Sequence, residues 1–130
     1  MRRLRPWLPA LAWAALIFWL SAQPKLVIDL ERGTDKLAHF LAYAVLGALL
    51  ALAQTRTGWP PAAAYALGIA YGASDEWHQS FVPGRASDAA DWLADAAGVV
   101  VAVALYQRMR RRAWRAHPPL DGARTDPSSS

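Results

Sequence analysis

DEWHQSFVPGRASDAADWLAD, running from Asp75 to Asp95, is the stretch on which the reading of this chain turns. It gathers acidic, basic and amide side chains around a Pro83-Gly84 turn, and apolar runs flank it on both sides. Charged groups beside or within membrane-length apolar segments are costly, so they mark functional groups with nameable partners. The rest of the chain reads as a scaffold that makes this stretch tolerable.

Upstream of the turn, an apolar run from Pro61 to Ser80 reads as a helix. Pro61 suits its first turn, where the missing N–H goes unused. Downstream, a second helix starts near Ser87 and runs to about Arg108. Further back, Lys36 to Gln54 is an Ala- and Leu-rich run with His39 and Tyr43 near its start, and Thr34 or Asp35 as candidate N-cap. Trp7 to Ala22 is a nearly uncharged run behind Arg2, Arg3 and Arg5. A basic head and apolar core also describe a cleaved signal peptide. The three later runs make an uncleaved first transmembrane helix the more economical reading.

Each run is near the ~20 residues that cross a bilayer core, the first being shortest at roughly 16–18. Short connections between them imply antiparallel neighbours. The sequence therefore predicts an all-α, four-helix transmembrane bundle over residues 7–108. A basic segment, 1–6, precedes it, and a tail, 109–130, follows. That tail is basic at first and then, from His117, rich in Pro, Ser and Gly and expected to be disordered. Ten of the 14 Lys and Arg residues fall at the two termini and at Arg56, against four in the other two connections and their flanks. The positive-inside rule then puts both termini in the cytoplasm and the Pro83-Gly84 turn outside.

Composition agrees. Hydrophobic residues make up 55% of the chain, and seven Trp suit membrane–water interfaces. The absence of Cys excludes disulfides, thiolate metal sites and a Cys nucleophile. The net charge of +4 comes from Arg outside the apolar runs, which fits anionic lipid headgroups and not nucleic acid.

At about 100° per residue, the polar residues share helix faces. Asp88, Asp91, Asp95 and Gly98 form one stripe; Gly68, Gly72, Asp75 and Gln79, with Glu76 at its edge, form another; Asp35, His39 and Tyr43 form a third. Gly68-x-x-x-Gly72 marks a closely packed face, with a looser equivalent at Ala94, Gly98 and Ala102. The candidate site residues are therefore Asp35, Lys36, His39, Tyr43, Asp75, Glu76, Gln79, Arg85, Asp91 and Asp95, converging in one outward-facing pocket. The inner halves of the helices read as apolar. Arg85 suits a phosphate or carboxylate because its planar fork binds two oxygens. The competing reading is a closed ion-pair network: Arg85 neutralises Asp88 or Glu76 across the turn, and Asp91 and Asp95, which repel at i and i+4 unless paired, protonated or bridged by a cation, take Arg85 and His39 as partners. A metal site is an alternative, because Asp oxygens and His nitrogens suit Zn, Mn or Mg, but no H-E-x-x-H or comparable spacing selects one. No Gly-rich phosphate loop or nucleophile elbow is present, and no cofactor is expected.

Asp35-Lys36-x-x-His39-Phe40-x-x-Tyr43-x-x-x-Gly47, then Asp75-Glu76-x-x-Gln79-x-Phe81-x-Pro83-Gly84-Arg85, then Asp91 and Gly98, resembles the VanZ-like family of small bacterial membrane proteins. Ser21-Ala22-Gln23-Pro24 at the end of the first run is similar too. Asp95 departs from the pattern, since that position is often Asn. The resemblance implies a cell-envelope role, because the family's named member is associated with low-level resistance to teicoplanin. The expected function is binding of an anionic lipid headgroup or lipid-linked envelope precursor. A small membrane enzyme with a carboxylate or His39 as general base, and a purely structural network, remain the alternatives.

Overall fold

The computed structural model describes residues 4–23 and 32–116. Among them the chain is helical, without strands. A 3-10 turn at Arg5–Trp7 leads into α1 (Leu8–Ser21), followed by α2 (Arg32–Thr57), α3 (Pro61–Gln79) and α4 (Ala89–Ala116). Two of these, α2 from Thr34 and α4, are long and apolar enough to cross a membrane.

The expected boundaries moved for physical reasons. Thr34 and Asp35 were candidate caps, yet α2 starts at Arg32 and places Asp35 inside its first turn. A carboxylate there still meets the positive end of the helix dipole. The last helix, expected to stop at Arg108, runs on to Ala116. Arg, Met and Ala are good helix formers, and cations favour a helix C-terminus. The expected boundary between bundle and tail thus lies inside α4. The expected disorder after His117, and the polar loop before Arg32, lie outside the described residues.

The centre of the fold is the pairing of α2 with α4. Lys36 meets Asp91, His39 meets Asp95, and Gln54 meets Gln107, so the two helices run in the same direction. Glycine lets their backbones touch. A Cβ on Gly98 would collide with the Phe40 carbonyl oxygen, and one on Gly47 would sit 3.0 Å from the Val99 backbone. Antiparallel to both, α3 packs Gly68 on Val99 and Gly72 on Asp95. The α1 helix joins α2 and α3 but not α4. Two side chains tie it to their backbones or its own: Trp13 Nε1 donates to Ala42 O at 2.9 Å, and Tyr71 OH donates to Ala14 O at 2.6 Å.

Tyr43, Leu46, Ala51, Ala64, Val99 and Val103 fill the interior. Leu11, Phe18, Leu41, Leu67, Leu93 and Leu105 stay exposed. That much apolar surface on a chain this small marks contact with something other than water.

Candidate functional site

The polar cluster forms where α1 and α3 end and α2 and α4 begin. Asp75 sits at its heart, 3% exposed. A buried carboxylate needs donors, and three supply them: Ser21 Oγ at 2.5 Å, Tyr43 OH at 3.1 Å and Gln79 Nε2 at 3.4 Å. Those donors come from α1, α2 and α3. Gly72, one turn before Asp75, lets α3 close on Asp95 of α4.

Beside Asp75, the His39 ring nitrogen Nδ1 lies 2.9 Å from Asp95 Oδ1. Nearer the helix starts, Lys36 Nζ reaches Asp91 at 2.6 Å and Asp88 at 3.2 Å. The Lys36–Asp91 pair is the better shielded, because the Asp88 side chain is 52% exposed. Asp88 was read on the α4 stripe; it instead precedes the helix and accepts the Ala90 N–H at 2.8 Å. This is the role of an N-cap. That backbone hydrogen bond, and then the Lys36 ammonium, hold the Asp88 carboxyl below the usual carboxylate range.

Arg85 differs from one expectation. It was a candidate to neutralise Asp88 or Glu76, but neither carboxylate forms an ion pair with it. The chain turns over Val82-Pro83-Gly84-Arg85, with Arg85 N donating to Val82 O and Gly84 at φ 77°. Pro followed by a positive-φ Gly is the pattern of a type II turn. The turn brings the guanidinium back over the ends of α1 and α3. There Nε donates to Gln23 O at 3.0 Å and Nη1 to Gln79 Oε1 at 3.3 Å. Glu76 instead takes the Asp88 backbone N–H on Oε2 at 2.9 Å.

A cavity of about 250 Å³ opens within the cluster. Asp35, His39, Tyr43, Asp75, Gln79 and Arg85 line its polar side, while Ile17, Leu20, Ala38 and Ala42 form an apolar wall. All ten residues singled out in the sequence are thus brought to one end of the fold. Six of them line the cavity; Lys36, Glu76, Asp91 and Asp95 stand behind it. Two sets of donor atoms lie close enough to hold a metal: Asp35, His39 and Asp91, and His39, Glu76 and Asp95.

Some polar contacts escaped sequence reasoning. Ser21 lay at the end of an apolar run, and only the fold reveals its bond to Asp75. At the opposite end, where the helices read as apolar, Gln54 and Gln107 are buried and joined at 2.9 Å. Gln54 Nε2 also donates to Trp59 O. Nor are all the Trp residues surface anchors. Trp19, Trp59, Trp77 and Trp114 are exposed, but Trp13 and Trp92 hydrogen-bond the backbones of α2 and α3.

Two membrane-length helices, an exposed apolar surface and acidic groups gathered in one interior cluster fit a small helical membrane protein. Residues 7–110 match the VanZ/LLP1 family. The chain belongs to this VanZ-like family. No curated protein and no solved structure matches it.

Proposed function

We propose that all four helices cross the bacterial cytoplasmic membrane, with both termini in the cytoplasm, and that the polar cavity faces outward to bind an anionic envelope component. The bundle proper would be residues 7–108, flanked by cytoplasmic segments 1–6 and 109–130. The occupant is a lipid headgroup or a lipid-linked precursor. The observation that carries this reading is the position of Arg85. Its hydrogen bonds go to the neutral oxygens of Gln23 and Gln79, and it lines the same cavity as the apolar side chains of Ile17 and Leu20. A headgroup phosphate would meet the guanidinium there while its chains lay along the apolar wall. Lys36 stands at the same end, paired with Asp91 and Asp88, and would join Arg85 on the anion by exchanging the exposed Asp88 for it. His39, Asp75, Glu76 and Asp91 shape the pocket.

The Arg distribution supports the orientation. At the other end of α4, Arg110, Arg111, Trp114 and Arg115 surround a groove of about 650 Å³, suited to headgroups of the cytoplasmic leaflet. A precursor as occupant would place the chain within the envelope chemistry on which glycopeptide antibiotics act.

The test is identification of co-purifying lipids by native mass spectrometry for wild type and Arg85→Ala. Enrichment of an anionic lipid or lipid-linked phosphate in wild type, lost in the variant, supports the reading. Identical lipid profiles would overturn it. A second reading has its own observation: Asp75 takes hydrogen bonds from three helices, as a purely structural lock would. Under that reading Asp75→Asn lowers membrane accumulation while Arg85→Ala leaves lipid binding unchanged.

A further inference from the structure

Among the described residues, two carboxylate oxygens in the cluster are buried without a hydrogen-bond partner: Glu76 Oε1 and Asp95 Oδ2. Their residues are 6% and 0% exposed. A carboxylate oxygen of Glu76 lies within 4.8 Å of one of Asp95. Asp95 Oδ2 points at α3, where a Cβ on Gly72 would lie 3.5 Å from it. Glu76 follows Gly72 by one helical turn on that face. Its other oxygen is already engaged with the Asp88 N–H, so Oε1 alone is left over. Two acceptors that share a dry site and lack any donor repel each other, and each forfeits its hydration. Something positive is needed between them.

His39 completes the set. One of its ring nitrogens already stands 2.9 Å from Asp95 Oδ1. Donor atoms of His39, Glu76 and Asp95 all lie within 4.8 Å of one another. We propose that these three side chains hold one divalent transition-metal ion of the Zn²⁺ or Mn²⁺ kind. Donors bound to such an ion at about 2.0–2.2 Å stand roughly 3–4 Å apart, a contraction that side-chain rotation supplies. One imidazole nitrogen with two carboxylate oxygens favours these ions over Mg²⁺ and Ca²⁺, which take oxygen alone. Three protein ligands also leave a coordination position open.

The alternative set, Asp35, His39 and Asp91, lacks the same demand. Asp91 already takes the Lys36 ammonium at 2.6 Å, and Asp35 is only partly buried. The unmet charge is in the deeper set. This site does not depend on the headgroup reading, since it requires neither Arg85 nor a lipid.

The test uses the full chain in detergent, stripped with chelator and titrated with Mn²⁺. Bound metal is counted by elemental analysis, and its ligands are read by pulsed EPR. The expected result is one Mn²⁺ per wild-type chain with an imidazole-nitrogen modulation. Affinity should fall by at least about tenfold in Glu76→Gln, Asp95→Asn and His39→Gln, and hold in Asp88→Asn. A wild-type chain that takes up no Mn²⁺ or Zn²⁺ overturns the proposal; the two carboxylates then share a proton. Bound Mn²⁺ without imidazole nitrogen also overturns it, whether or not any variant folds. So does uptake that survives Glu76→Gln but is lost in Asp35→Asn, which moves the ion to the outer set. Lipid retention by Arg85→Ala is scored separately, so either reading can fail alone.

Discussion

His39 and Asp95 meet across the seam between α2 and α4, ring nitrogen to carboxylate oxygen at 2.9 Å, and Asp95 has no exposed surface. Removing one partner strands the other. In the metal-free chain, His39→Leu should cost on the order of 3 kcal/mol or more, the usual penalty for orphaning a buried charge. His39→Leu with Asp95→Leu should recover much of that loss. Thermal unfolding in detergent measures both. A double variant no more stable than the single one would mean the pair is not the source of the penalty.

Gly98 is where the two central helices come closest. The Cβ of Gly98→Ala would run into the Phe40 carbonyl and come within 2.9 Å of Ala44 N. Both obstacles are backbone, so the helices must separate, at a cost of about 2 kcal/mol or more. Gly58→Ala meets nothing within 4 Å, yet its φ of 75° should still cost about 1 kcal/mol. The contrast separates crowding from backbone strain. Equal effects at the two positions, measured by unfolding midpoint, would contradict the packing described here.

At the opposite end, Gln107 Nε2 donates to Gln54 Oε1. Gln107→Ala leaves that oxygen with only the long contact from Thr55 Oγ1 at 3.4 Å and should destabilise by about 1–3 kcal/mol. Replacing both glutamines by Leu removes the buried amide pair and leaves only the Trp59 carbonyl, on an exposed residue, without its donor, so it should come closer to wild type. A double-mutant cycle with no coupling energy between them would show that the bond contributes nothing.

Asp88 should make the start of α4 sensitive to acid. Its carboxyl titrates lower in the folded chain than in the unfolded one, through the Ala90 N–H and then Lys36. Stability from this group is therefore present above the unfolded value, near pH 4, and is lost as pH falls through the lower folded value. Hydrogen exchange at Ala90 to Trp92 should accelerate in that window in wild type. Asp88→Asn keeps a capping oxygen but has no charge to lose, so its exchange should not show that acid step. The same step persisting in Asp88→Asn would assign it to another carboxylate.

Much of the site was legible because helices repeat. Spacing alone put Gly72, Asp75 and Gln79 on one face, and His39 with Tyr43 on another. The Pro83-Gly84 turn tied the end of α3 to the start of α4. The resemblance carried by Asp35 to Tyr43 and Asp75 to Arg85 pointed to the family that the match over residues 7–110 shows. Helix ends were less legible. Asp35 works equally well as a cap or inside the first turn, and the Arg-rich run after Arg108 is a good helix former regardless of where a bilayer ends.

What the sequence by itself determined is the alternation of apolar runs with short breaks, the faces on which polar residues fall, and the end of the chain's helices where they gather. Those follow from helical period and hydrophobicity, which are local properties. Only the tertiary structure decided who pairs with whom. Lys36 took Asp91 and Asp88, His39 took Asp95, and Arg85 turned to Gln23 and Gln79. It also left Glu76 Oε1 and Asp95 Oδ2 buried without a hydrogen-bond partner among the described residues. Partner choice among several charges of one cluster depends on ångström-scale helix offsets. Those offsets are set by how far Gly47, Gly72 and Gly98 let neighbouring backbones approach, and no spacing along one chain encodes that distance.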